Sequence, residues 1–217
     1  MDPAESAKPR GRRVVAFAVA IALVAVGAFA VGRLSTSFVS TPSNTSAAAG
    51  FARDMQVHHD QGVELAMIVR DRSTDEDIRG LAYDIATSQS NQSGQMLAWL
   101  NEWTLPQAAP EPAMTWMTRP TLTGAGHDHG TEGAHKPGDP MPGLATRAQI
   151  AELQGLDGPA AEKLFLELMI AHHQGAIDMA KAVLDRTEVP VVINLATSIV
   201  KSQTNEIGYM TDLLSRY

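Results

Sequence analysis

Two stretches of the chain place a histidine doublet among apolar residues: MIAHHQGAIDMA at 169–180 and MQVHHDQGVELA at 55–66. On an α-helix, residues three, four and seven apart share a face. Met169, His172, Ala176 and Met179 therefore form one seam, and Met55, His58, Gly62 and Leu65 form its counterpart. His173 and His59 each lie four residues past the leading methionine, so Met169 and Met55 can each reach two imidazoles. Neighbouring residues point about 100° apart. This predicts a ligand role for His172 on the seam and a bridge to the adjacent helix for His173.

A second stripe accompanies each doublet. Gln203, Glu206 and Met210 step by three and four, as do Gln89, Gln92 and Met96. Packed against the seams, these stripes would enclose imidazoles, thioethers and a few amides or carboxylates. Thioether sulfur is soft and suits Cu(I), whereas imidazole accepts copper, zinc, iron or nickel. A di-iron bundle needs Glu-x-x-His spacing and glutamates on all four helices. Met169 and Met55 stand three before His172 and His58, where that carboxylate should be. The expected ligand set is Met55, His58, His59, Met96, Met169, His172, His173, Met179 and Met210, with Cu(I) the favoured ion. A methionine at core spacing is more often a gap-filler, and a lone inward histidine is more often a satisfied core residue. The doubling of the pattern is what favours metal.

The elements that must position these residues follow from the repeat. With a shift of 114 residues, Phe51–Leu100 aligns with Phe165–Leu214 without a gap, and roughly a third of the positions are identical. Chance gives about a twentieth, so the chain contains an internal duplication. Each copy reads as a helical hairpin, over 50–104 and 159–217. Ser73-Thr74-Asp75-Glu76 has the pattern of a capping box for the second helix, and Pro190 and Pro159 suit first helical turns. Neither hairpin buries its apolar face alone. The expected fold is all-α: an antiparallel four-helix bundle made from two hairpins. Residues 105–158, rich in Pro and Gly, form the connecting loop. Within it, His127, His129 and His135, with Met114, Met117 and Met141 nearby, could capture metal loosely, or could sit in a polar loop with no role.

The chain has no cysteine, which excludes disulfides, thiolate ligands and a cysteine nucleophile. Its net charge is −7, with +2 on residues 1–13 and −9 on the rest, so nucleic acid is not an expected partner. Arg10, Arg12 and Arg13 in the basic tail 1–13 precede an apolar run from Val14 to Val31. A single transmembrane helix over 14–32 is expected, with the basic flank in the cytoplasm and the bundle outside the cell membrane. Ala28-Phe29-Ala30 also reads as a cleavage box, so secretion after signal removal competes. Residues 33–49 read as a flexible tether.

FLELMIAHHQGAIDMA at 165–180 and FARDMQVHHDQGVELA at 51–66 resemble the signature of the domain of unknown function 305 family. The resemblance extends over about 50–216, apart from the middle loop. It implies a ferritin-like helical bundle in a secreted or membrane-anchored bacterial protein, and copper binding or copper tolerance as in some members. It carries over to Met169, His172, His173 and Met179, and to Met55, His58 and His59; the first copy departs at HHDQG and at Leu65. The expected role is copper sequestration or delivery without catalysis. One rival is a ferritin-like metal-dependent oxidase using Glu64, Asp178 and Glu206. The other is a metal-free surface interaction module. Oligomeric state is not legible.

Overall fold

The computed structural model describes residues 10–35, 41–124 and 136–217. It forms two separate units, Met1–Thr41 and Pro42–Tyr217. The first unit contains helix α1, Arg10–Ser35. Its stretch Val14–Gly32 is 19 residues of mean hydropathy 2.9, with its side chains exposed. It is long and apolar enough to cross a membrane, a test that a signal sequence also passes.

The second unit is helical throughout its regular structure among the described residues. Helix α2 spans Ala47–Arg72, α3 Glu76–Glu102, α4 Arg147–Gly155, α5 Gly158–Leu184 and α6 Pro190–Leu214, with a single 3-10 turn at Thr115–Thr118. Local chemistry sets the starts. The Ser46 hydroxyl accepts the Ala49 N–H at the head of α2. The α3 cap differs from the expected capping box. Asp75 is the cap, accepting the Ile78 N–H at 3.0 Å. The Ser73 hydroxyl is engaged elsewhere: it donates to the Glu162 carboxylate of α5 at 2.5 Å. The same hydroxyl accepts the Asp75 N–H at 3.0 Å, so it serves the turn before α3 and leaves the cap itself to Asp75. Pro190 opens α6 and Pro159 lies in the first turn of α5, where the missing N–H costs nothing.

The connecting loop is more ordered than its Pro and Gly content suggests. A reciprocal capping box between Thr146 and Gln149 starts the short helix α4. Upstream, Met114 and Trp116 enter the core. Buried Asp54 on α2 holds them, accepting the Met114 N–H at 2.7 Å and the Trp116 Nε1–H at 2.8 Å. The Trp116 ring also meets Phe51 edge-on at 5.9 Å between centroids. Asp54→Ala would leave two buried donors without an acceptor, each costing about 1–3 kcal/mol. A loss of about 2–6 kcal/mol in the urea-derived unfolding free energy is expected, with Asp54→Asn intermediate because one acceptor oxygen remains.

Helices α2 and α3 pair as one hairpin and α5 and α6 as the other, and α2 packs on α5 between them. The N-terminal half of α2 shares a core with the C-terminal half of α5, so this central pair is antiparallel. The core is split in two. One lobe gathers Phe51 and Met55 with Met96, Trp116, Met179 and Val192. The other gathers Leu65 and Val69 with Ile85, Phe165, Met169 and Met210. Between the lobes, at the middle of the bundle, lie the polar residues of the repeat.

Candidate metal centre

All four repeat histidines, His58, His59, His172 and His173, are fully buried. Their helices bring the two doublets together where α2 crosses α5. The His58 and His172 rings lie 4.0 Å apart between centroids, tilted by 39°. Gly62 permits this approach. A Cβ there would come within 2.8 Å of His172 Cε1 and 2.2 Å of Gln89 Oε1.

Every Nε2 in the layer faces an oxygen. His58 Nε2 is 2.9 Å from the Pro142 carbonyl and His172 Nε2 is 2.8 Å from the His58 carbonyl. His59 Nε2 is 2.7 Å from Gln92 Oε1 and His173 Nε2 is 2.6 Å from Glu206 Oε2. A carbonyl or carboxylate oxygen only accepts, so each Nε2 carries the proton and donates it. The lone pair of each neutral imidazole then resides on Nδ1. All four Nδ1 atoms are buried and have no hydrogen-bond partner. An imidazole whose N–H is anchored on oxygen, with its other nitrogen free, is the arrangement seen in metal-ligating histidines.

Burial keeps the His58, His59 and His172 rings neutral. Desolvation, offset in part by the Pro142 hydrogen bond, lowers the His58 pKa to about 4. Desolvation and the neighbouring His58 lower His59 to about 3. His172 is pushed well below its ordinary value, by desolvation first and His58 next. Neutral imidazole is the form that binds a metal. The amide of Gln89 and the Oε1 of Gln203 are also buried without partners, and Gln89 lies with His172 against Gly62.

The sulfur atoms divide between the two lobes. Met55 and Met96 of the first copy join Met179 of the second in one lobe. Met169 and Met210 join Leu65 in the other. The antiparallel crossing of α2 and α5 brings Met179 of the second copy to Met55 and Met96 of the first, whereas the other lobe draws its repeat methionines from the second copy alone. All five expected methionines are fully buried. Met114 and Met141 add to the first lobe, with Met117 against it, making that lobe the sulfur-rich one. His127, His129 and His135 lie outside the described residues.

Of the carboxylates proposed for an oxidase, Glu64 and Asp178 are exposed, and Glu206 reaches a histidine. Among the described residues no three His, Asp or Glu side chains converge as a metal-binding group. The expected bridge from His173 to the adjacent helix is present, and His59 makes the equivalent one. The strap at Pro142–Ala145 was not anticipated. Besides the His58 contact, Gln61 exchanges two hydrogen bonds with the Ala145 backbone. Pro142-Gly143 carries only an ordinary turn signal in sequence, and nothing local ties it to residues 84 positions away.

The chain matches the family model described as "Domain of unknown function (DUF305)" over residues 48–214. A DUF305 protein of known structure from Streptomyces coelicolor is 46% identical, with a TM-score of 0.69, covering 80% of this chain and 95% of that one. A DUF305 fragment from Deinococcus radiodurans is 34% identical, with a TM-score of 0.60 and coverage of 79% and 97%. CopM, solved in a Cu(I)-bound form, is 20% identical with a TM-score of 0.56, covering 80% and 96%; it shares the fold. A curated relative, an uncharacterised protein of Acanthamoeba polyphaga mimivirus, is 45% identical over 53 residues, 24% of this chain and about a third (35%) of that protein's length. With the family model spanning both hairpins and a 46% identical member sharing the fold, the chain belongs to the DUF305 family.

Proposed function

We propose that the helical unit binds copper at its midplane, Cu(I) above all, and serves to sequester or deliver it outside the cytoplasm, with α1 as membrane anchor. The observation that carries this reading is the set of four buried imidazoles, each with Nε2–H donated to oxygen and Nδ1 unpartnered. Unpaired buried polar atoms cost about 1–3 kcal/mol each, and a soft cation accepting those lone pairs would offset that cost. The buried thioethers of Met55, Met96, Met169, Met179 and Met210 flank the layer on both sides and supply the soft donors Cu(I) prefers. CopM, which shares the fold, was solved with Cu(I), Cu(II) and silver. Glu64 and Asp178 on the surface weigh against an oxidase that would draw on them.

The test is titration of the full-length chain in detergent with Cu(I) under anaerobic conditions. Wild type is expected to take up copper and to melt at a higher temperature, since a ligand bound only by the folded state stabilises it by about 2.7 kcal/mol at a hundred times Kd. The His172→Ala/His173→Ala variant is expected to lose most of that uptake. Equal uptake by the two proteins would remove the midplane from consideration. The absence of any melting shift with Cu(I), Cu(II) and Zn(II) would favour the metal-free interaction module.

A further inference from the structure

The duplication is not symmetric in its chemistry, and its differences run in one direction. His59 and His173 hold equivalent positions, each bonded to a residue 33 further on. In the first copy that residue is Gln92, neutral; in the second it is Glu206, a carboxylate. The clefts between α3 and α6 follow suit. The one containing Gln92, about 810 Å³, is lined largely by neutral side chains including Asn91, Gln95, Asn194 and Ser198. The one containing Glu206, about 330 Å³, also carries Glu76, Asp77 and Asp84; Asp84 lies on both. Sulfur runs the other way. The lobe that holds Met96, one turn beyond Gln92, also holds Met55 and Met179. The lobe that holds Met210, one turn beyond Glu206, has Leu65 where the repeat would put a third methionine.

We infer that the two faces of the histidine layer select ions of different charge: a doubly charged cation on the Glu206 side and a singly charged soft cation on the methionine-rich side. This rests on the midplane binding metal. The Born cost of burying an ion grows with the square of its charge, so neutral imidazole and thioether donors admit a monovalent ion far more readily than a divalent one. A carboxylate hydrogen-bonded to the ligating imidazole offsets part of the second charge and makes the ring a stronger donor. Glu206 is therefore a positioning and specificity-determining residue acting through His173. Asp77 is paired with Arg216, and Glu76 and Asp84 beside Glu206 give that cleft the sign that draws cations in.

Zn(II) and Ag(I) separate charge from redox chemistry, and competition titrations of the full chain measure both. Glu206→Gln is expected to weaken Zn(II) by about 10–100-fold, the usual effect of removing such a partner, and to change Ag(I) by less than about threefold. Gln92→Glu should strengthen Zn(II), and Met55→Leu/Met179→Leu should weaken Ag(I) alone. Both glutamine–glutamate exchanges are nearly isosteric, and circular dichroism verifies folding. If wild type binds both ions and Glu206→Gln weakens them equally or not at all, the charge selection is wrong while the metal-binding reading stands. If wild type binds neither ion, both fall. If Glu206→Gln does not fold, an unchanged Zn(II) affinity in Gln92→Glu overturns the selection by itself.

Discussion

Acidification from pH 7 toward pH 4 is expected to destabilise the helical unit steeply, well before its surface carboxylates titrate. The cause is the buried histidine layer. In the unfolded chain these histidines take a proton near pH 6.5. In the folded chain His58 resists until about pH 4 and His59 until about pH 3, and His172 is likewise lowered. The unfolded state therefore binds more protons throughout that interval, and stability falls as pH falls. The stabilisation is fully present above pH 6.5, is lost between pH 6.5 and each folded pKa, and changes no further through that histidine below it. Three such groups give a slope of up to about 4 kcal/mol per pH unit. Burial raises the pKa of Asp54 and Asp60, which works in the opposite sense and offsets part of the slope. Urea unfolding followed by circular dichroism at pH 7.5, 6.0 and 5.0 measures the slope. A midpoint that stays constant from pH 7.5 to 5.0 would show that the histidines are not buried as neutral rings.

Gly175→Ala is expected to cost about 1–5 kcal/mol, although glycine is the poorer helix former. In an open helix the exchange gains about 1 kcal/mol. At Gly175 the added Cβ would sit 1.9 Å from the Pro142 carbonyl oxygen and 2.4 Å from its carbon, so backbone must move. Overpacking of that kind costs about 1–3 kcal/mol. Displacing Pro142 also removes the acceptor of the buried His58 Nε2–H, at about 1–3 kcal/mol more. The strap cannot easily yield. Gly143, beside Pro142, has φ +75°, and its own Cβ position is closed by the Ala171 carbonyl at 2.1 Å. Gly208→Ala on α6 is the control. Nothing lies within 4 Å of a Cβ there, so the ordinary helix gain of about 1 kcal/mol should appear. Melting temperatures moving in opposite directions for the two variants would establish the strap as a structural clamp on the histidine layer. A stabilised Gly175→Ala protein would contradict it.

By itself the sequence determined the duplication, the all-α class, the apolar N-terminal span and the inward face of every bundle helix. These are local or periodic properties. The spacing of Met169, His172, Ala176 and Met179 decides which side of α5 is buried, whatever packs against it. The stripes at Gln89, Gln92 and Met96, and at Gln203, Glu206 and Met210, were legible for the same reason. Only the tertiary structure decided how the faces combine. The antiparallel crossing of α2 and α5 stacks His58 on His172 and joins Met179 of the second copy to Met55 and Met96 of the first. Local pattern was overruled in the loop, where α4 forms and Met114 and Trp116 fill core space beside Asp54. The tautomers of the four rings depend on oxygens 33, 84 and 114 residues away. A hydrogen bond of that range leaves no trace in the periodicity of either partner, because periodicity records which way a side chain faces and not what waits on the other side.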